Sequence, residues 1–226
     1  MAVLLLRFAA PLQAWGSDSK FEVRRTELFP TKSGVIGFIA SALGRSREDD
    51  LSDLKDLKIG VRVDDPGTMI SDFHTAKSQK SNYITTRYYL SDAVFLVGIE
   101  SDNVEKLEEI GNAIQHPVYP LFLGRRSCPP TLPIVLEIEN NSLFNALKGY
   151  RWLVSEKRSK RVSPNSRCIV DADSPLAGRM IKDNPLSYSP KNRKFGVRFI
   201  EEIPITFDLC GTSAEPEHDA FGTVEG

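Results

Sequence analysis

Pro30-Thr31-Lys32-Ser33-Gly34 concentrates the most chemistry in the fewest residues. It opens an apolar stretch of helical spacing, so free amides, a lysine and hydroxyls meet at the positive end of a helix, where a phosphate can sit. The spacing GxxxxGK(S/T) is absent, which excludes a nucleotide-hydrolysing phosphate loop. Plain N-capping by Thr31 or Ser33 uses the same residues, and both readings stay open. Arg24-Arg25 precede this segment, and Arg45 and Arg47 follow it. Leu123-Gly124-Arg125-Arg126-Ser127 sets a second arginine pair beside a glycine, so backbone and guanidinium groups can approach one phosphate closely. The competing role for that pair is bridging to the acidic residues around 48–56. Thr86-Arg87-Tyr88-Tyr89 interleaves a cation with aromatic rings. In a strand, Arg87 and Tyr89 share one face and Tyr88 takes the other. Unstacked bases need such neighbours, while core packing is the alternative for either tyrosine.

Catalytic signals are sparse. His74, His116 and His218 show neither HxxxH nor HExxH spacing, and no GxSxG occurs. Asp49-Asp50 and Asp64-Asp65 fall at a helix start and a turn, where aspartate is expected for structural reasons. His74, beside a polar hairpin tip, is the candidate acid or base if RNA is cleaved. Cys128, Cys168 and Cys210 are widely spaced without CxxC, so neither a zinc site nor a disulfide framework is expected. The expectation is no catalytic residue, no metal and no cofactor.

The elements that must position these groups follow from periodicity. Ala2–Phe8 is a continuous apolar run ended by Pro11, the pattern of a strand buried on both faces. Val35, Ile36, Phe38, Ile39 and Leu43 recur at helical spacing, closed by Gly44. A short helix is expected at Leu51–Leu57, a strand at Lys58–Asp64 with Ile59, Val61 and Val63 inward, and a turn at Asp64–Gly67. Thr68–Thr75 and Ile84–Leu90 flank a polar tip, together a long hairpin over 68–90. Ala93–Ile99 reads as a strand, and Asp102 caps a helix over Val104–His116 with Val104, Leu107, Ile110 and Ile114 inward. Pro133–Glu139 is a further strand. Without the hairpin the order is β-α-β-β-α-β. The fold class expected is therefore α+β: a ferredoxin-like palm, like the RNA-recognition motif, over residues 1–140, with an inserted hairpin thumb. Residues 141–210 read as a smaller, basic, β-rich unit with a helix at Leu143–Tyr150 and strands near 197–200 and 203–209. Residues 211–226 form an acidic tail.

At 226 residues, 41% hydrophobic and 26% charged, the chain can bury a sizeable core and is not disordered. No apolar run approaches the roughly 20 residues of a membrane-spanning helix, and no basic region precedes the first apolar run. A cytoplasmic protein without membrane contact is expected. The formal charge of −1 hides segregation: residues 1–47 sum to +4, 48–140 to −7, 141–200 to +9 and 201–226 to −7. Either one side meets a polyanion, or folding interleaves the blocks.

Six ordered segments then carry a resemblance: LLLRFAAPLQAWG, RRTELFPTKSGVIGFIASALGR, VRVDDPG, DFHTA, TTRYYLSDAVFLVGI and YPLFLGRRSCPP. Over roughly residues 3–135 they resemble the CasD family of type I-E CRISPR Cascade subunits, within the repeat-associated (RAMP) superfamily of RNA-binding proteins. The resemblance implies a non-catalytic subunit that caps the 5′ handle of CRISPR RNA, between CasC-type backbone subunits and a CasA-type large subunit. For an RNA-binding subunit, Arg24, Lys32, Ser33, Arg45, Arg125 and Arg126 are expected to hold phosphates, Arg25 and Arg87 to join the RNA-binding set, and Tyr88, Tyr89 and the Trp15 loop to meet bases or a neighbour. Rival readings are a metal-independent endoribonuclease using His74, and a protein-only scaffold.

Overall fold

The computed structural model describes residues 1–16, 22–77, 82–172, 174 and 176–207, with 76, 77 and 82 described in backbone only. Its elements are β1 (Ala2–Ala9), β2 (Leu12–Gln13), β3 (Val23–Arg24), α1 (Lys32–Ala42), α2 (Ser52–Lys55), β4 (Lys58–Asp65), β5 (Thr68–Lys77) and β6 (Asn82–Ser91). There follow β7 (Val94–Ser101), α3 (Val104–Gln115), β8 (Val135–Glu139), α4 (Leu143–Gly149), α5 (Glu156–Ser159), β9 (Asn165–Asp171), β10 (Arg179–Ser187) and β11 (Lys194–Thr206).

Among the described residues, seven strands form one antiparallel sheet in the order β10-β11-β9-β4-β7-β1-β8. β1 lies inside it, and its alternation explains the continuous apolar run. Ala2, Leu4, Leu6 and Phe8 face the core shared with α1 and α3, while Val3 and Leu5 face a second core under α4. Each such leucine or phenylalanine removed from water contributes about 1.5–3 kcal/mol. The chain order β1-α1-β4-β7-α3-β8 maps onto the spatial order β4-β7-β1-β8.

α4 changes what the second face can do. It sits on β4 and β7 because both strands carry glycine there. A Cβ at Gly60 or Gly98 would lie 2.7 Å from a Leu147 or Leu143 methyl. β4 is consequently buried on both faces, with Gly60, Arg62 and Asp64 shut in as well as Ile59, Val61 and Val63. A face of the kind on which an open four-stranded sheet stacks bases is here covered by protein.

Several local expectations are corrected. Asn103, not Asp102, caps α3, accepting the Lys106 amide at 3.0 Å. Val104 stays 41% exposed, and the buried stripe of α3 is Leu107, Ile110, Gly111 and Ile114. β11 is one thirteen-residue strand where two short ones were expected. The sequence carries no clear strand signal for β9 or β10, yet β9 pairs with β4, so residues 165–206 extend the same sheet. α1 does follow its sequence: Thr31 caps it, and Gly44 lies just past its end at φ 76°. The hairpin is the antiparallel pair β5–β6, with β2 and β3 along the other edge of β6. Residues 78–81 of its expected tip and the tail 211–226 lie outside the described residues.

Candidate nucleic-acid interface

The hairpin register sorts side chains onto two faces. Thr85, Arg87 and Tyr89 of β6 stand opposite His74, Asp72 and Ile70 of β5, and Arg24 of β3 aligns with Arg87. Tyr88 falls on the other face with Phe73 and Ile84, as the period-two argument requires. Phe73, Tyr83 and Ile84 are all more than half exposed. Period-two alternation along β5 and β6 marks these exposed apolar groups as well as Tyr88 and Tyr89.

The loop between α3 and β8 approaches β6 through Gly124. At φ 89°, with an added Cβ only 1.6 Å from the Ala14 carbonyl oxygen, that position admits glycine alone. This close approach delivers Arg125 to the hairpin. Its Nη1 donates to the Tyr88 carbonyl and its Nη2 to the Arg24 carbonyl, both at 3.0 Å. Its guanidinium lies 4.5 Å from the Tyr89 ring centroid. Arg125 therefore fastens β3, β6 and the loop together, with its donors turned to protein instead of phosphate. The adjacent Arg126 is exposed and makes no hydrogen bond or ion pair among the described residues. The same holds for the exposed side chains of Arg24 and Arg25. Arg87 is half-buried, and its Nε is closed off without a hydrogen-bond partner. Such a group costs about 1–3 kcal/mol until it is satisfied.

Other expected contacts are taken by the protein itself. Trp15 is a core residue, stacked on Phe8 at 5.7 Å and donating from Nε1 to Gln13 Oε1 at 3.2 Å. Tyr89 is 3% exposed. The start of α1 already holds an anion: Asp183 Oδ2 accepts the Lys32 amide at 2.7 Å. Arg198 grips the same carboxylate at 2.7 and 2.9 Å and reaches Asp171 at 2.8 Å. The Ser33 carbonyl accepts the Tyr188 hydroxyl. Lys32 is buried, and burial lowers its ammonium below the usual lysine value, opposed by Asp171 and Asp183. A carboxylate from β10 thus takes the Lys32 amide that the phosphate reading assigned to a ligand.

Arg45 is likewise committed, forking onto Asp53 at 2.5 and 2.6 Å. Those hydrogen bonds bring the Asp53 carboxyl down to about 2 from 3.8. A carboxyl lowered on folding adds stability above its unfolded value and loses it as pH falls through the folded one. The pair is partly exposed, so solvent limits its worth to about 1 kcal/mol or less. Arg45→Ala is therefore expected to melt slightly early at pH 7, with the difference vanishing as pH falls from about 4 to 2. Melting curves across that range check this, and a pH-independent difference would assign the loss to packing.

His74 Nε2 lies 2.6 Å from Asp72 Oδ2 on the exposed hairpin. Among the described residues no His, Cys, Asp or Glu cluster forms a metal site, and no helix is long and apolar enough to cross a membrane.

The family model described as CRISPR-associated protein (Cas_Cas5) matches residues 3–201. The chain is 35% identical over 156 residues to "CRISPR system Cascade subunit CasD" of Escherichia coli (strain K12), covering 59% of this chain and 69% of that one. A solved chain from a "CRISPR RNA-guided surveillance complex" superposes with TM-score 0.76 at 30% identity, over 96% of this chain and 95% of that one. A second, described as "Crystal structure of Cas protein", gives TM-score 0.73 at 37% identity, over 90% and 95%.

Proposed function

The chain belongs to the CRISPR-associated Cas5 family, and from that membership we propose that it is a non-catalytic, RNA-binding subunit of a Cascade-type surveillance complex. In this reading it caps the 5′ handle of the guide RNA in the cytoplasm, between CasC-type backbone subunits and a CasA-type large subunit. The spatial order β4-β7-β1-β8 supports a ferredoxin-like palm, and the β5–β6 hairpin projecting from the β4–β7 connection supports a thumb. One observation carries the RNA assignment. Arg24, Arg25 and Arg126, unpaired among the described residues, gather around the Arg125 anchor beside Arg87, whose Nε lacks a partner. The exposed ring of Tyr83 stands four residues farther along β6 on the face of Arg87. Cations beside aromatic faces suit a single strand, binding its phosphates and stacking its bases.

Each phosphate contact to a single strand contributes about −0.7 to the slope of log K against log salt. Replacing Arg24, Arg25 and Arg126 together by alanine should flatten that slope by about 2 and weaken binding on the order of 10²-fold at low salt. Titrating labelled handle RNA between low and moderate salt checks both numbers. A wild-type slope near zero would favour the protein-only scaffold.

Cleavage is the second reading, and the His74–Asp72 pair is the observation behind it, since a carboxylate can orient an imidazole for proton transfer. Labelled repeat RNA incubated with the chain in chelator should stay intact and shifted. Cleavage abolished by His74→Ala would replace the binding reading with the nuclease one.

A further inference from the structure

A cleft of about 580 Å³ lies between the β4–β5 turn and the Ser155–Asn165 segment. Arg158 and Arg161 line it beside one acid, Asp65, with Lys157 also on its wall. That acid is already used: Asp65 accepts from Arg158 Nε and from the Gly67 amide. Asp92, 3.8 Å from Arg158 Nη1, is the other carboxylate beside it. These contacts fix the direction of the Arg158 guanidinium, and the rest of it makes no hydrogen bond among the described residues. Arg161 is exposed, with no side-chain partner among the described residues. The hydroxyl of Ser155 is not spent on capping α5, and Thr68 offers another from the opposite wall.

We propose that this cleft is a second site for the phosphate backbone of single-stranded RNA, with Arg158 and Arg161 as its cationic ligands. The proposal rests on the RNA-binding reading above. The donors suit an oxyanion: a preoriented guanidinium, a free one and two hydroxyls. The volume exceeds what an isolated phosphate would occupy and suits a stretch of strand. Among the described residues no aromatic ring lines the cleft, so nothing there stacks a base, and the contact is expected to be independent of sequence. Position supports continuity with the first interface. Thr68 pairs with Ser91 at the hairpin base, four residues from Arg87, or about 13 Å along the strand.

Arg161 is the residue to test, because Arg158 also holds Asp65. Full-length chain carrying Arg161→Ala is titrated with two unrelated single-stranded RNA oligonucleotides and with duplex DNA, at several salt concentrations. The expected result is a loss of about three- to tenfold for both RNAs, with the salt slope flatter by about 0.7, and recovery in Arg161→Lys. Unchanged RNA affinity and slope in Arg161→Ala, with Arg126→Ala still impaired, overturns the cleft and leaves the first interface standing. A loss confined to one RNA sequence, or to duplex DNA, overturns it too. A wild-type chain that binds neither RNA overturns both readings.

Discussion

Arg62→Ala should be the most destabilising single substitution at a charged position, costing about 3–5 kcal/mol. Arg62 is fully buried in the middle of β4. Its Nε and Nη2 grip Asp64 at 2.6 and 2.8 Å. Nη1 also donates to the carbonyls of Leu147 and Tyr150 at 2.5 and 2.6 Å, and Nη2 to that of Arg151 at 2.7 Å. The end of α4 leaves carbonyls without helical partners, and this guanidinium supplies their donors inside the protein. Removing it strands those acceptors together with the buried Asp64 carboxylate. Asp64 in turn accepts the Leu153 amide at 2.8 Å and, through its carbonyl, the Trp152 indole at 3.1 Å. The segment leading into α5 and the basic cleft therefore hangs on this one pair. For a chain of this size the melting temperature should fall by roughly 10 °C. Hydrogen exchange should rise first over residues 150–165. Arg62→Lys should not rescue, because an ammonium cannot serve a bidentate carboxylate and three carbonyls at once. A melt within about 1 kcal/mol of wild type would show that α4 is seated by its leucines alone.

Separating Arg125 from Arg126 should give a stability defect from one residue and a binding defect without a stability defect from its neighbour. Arg125→Ala removes two charge-assisted hydrogen bonds and the contact over Tyr89, so about 2–3 kcal/mol of stability should go. β3 should loosen from β6, and RNA binding should weaken indirectly as Arg24 moves with it. Arg126→Ala should melt within about 0.5 kcal/mol of wild type yet bind RNA about three- to tenfold more weakly. Thermal melts and RNA titrations on both single variants decide the matter. An early-melting Arg126→Ala beside a native-like Arg125→Ala would reverse the two roles.

The contrast within this pair shows how far residue types alone can be read. Arg125 and Arg126 are indistinguishable in sequence, yet Gly124 brings the loop against Ala14 so that one guanidinium points at carbonyls and the other at solvent. The start of α1 differs from its sequence reading for a similar reason, since the Lys32 amide is already taken. The carboxylate that fills the α1 start comes from Asp183, 151 positions away, on a strand the sequence did not announce. The basic block 141–200 is legible as charge, but Arg158 pairs with Asp65 of β4, and Arg167, Arg179 and Arg198 find acidic partners once β9–β11 join the sheet.

Local physics did determine much of the scaffold. β1, α1 with its Thr31 cap, the short helix expected at Leu51–Leu57 (α2, Ser52–Lys55), the hairpin strands and α3 all lie close to where periodicity and caps put them, because each is specified by residues within one or two turns of itself. The six ordered segments also carry the family likeness by themselves. What only tertiary structure decided is which polar groups remain free for a ligand. Whether an arginine is available depends on the carboxylates and carbonyls that distant segments bring within hydrogen-bond reach, and spacing along the chain holds no record of those distances.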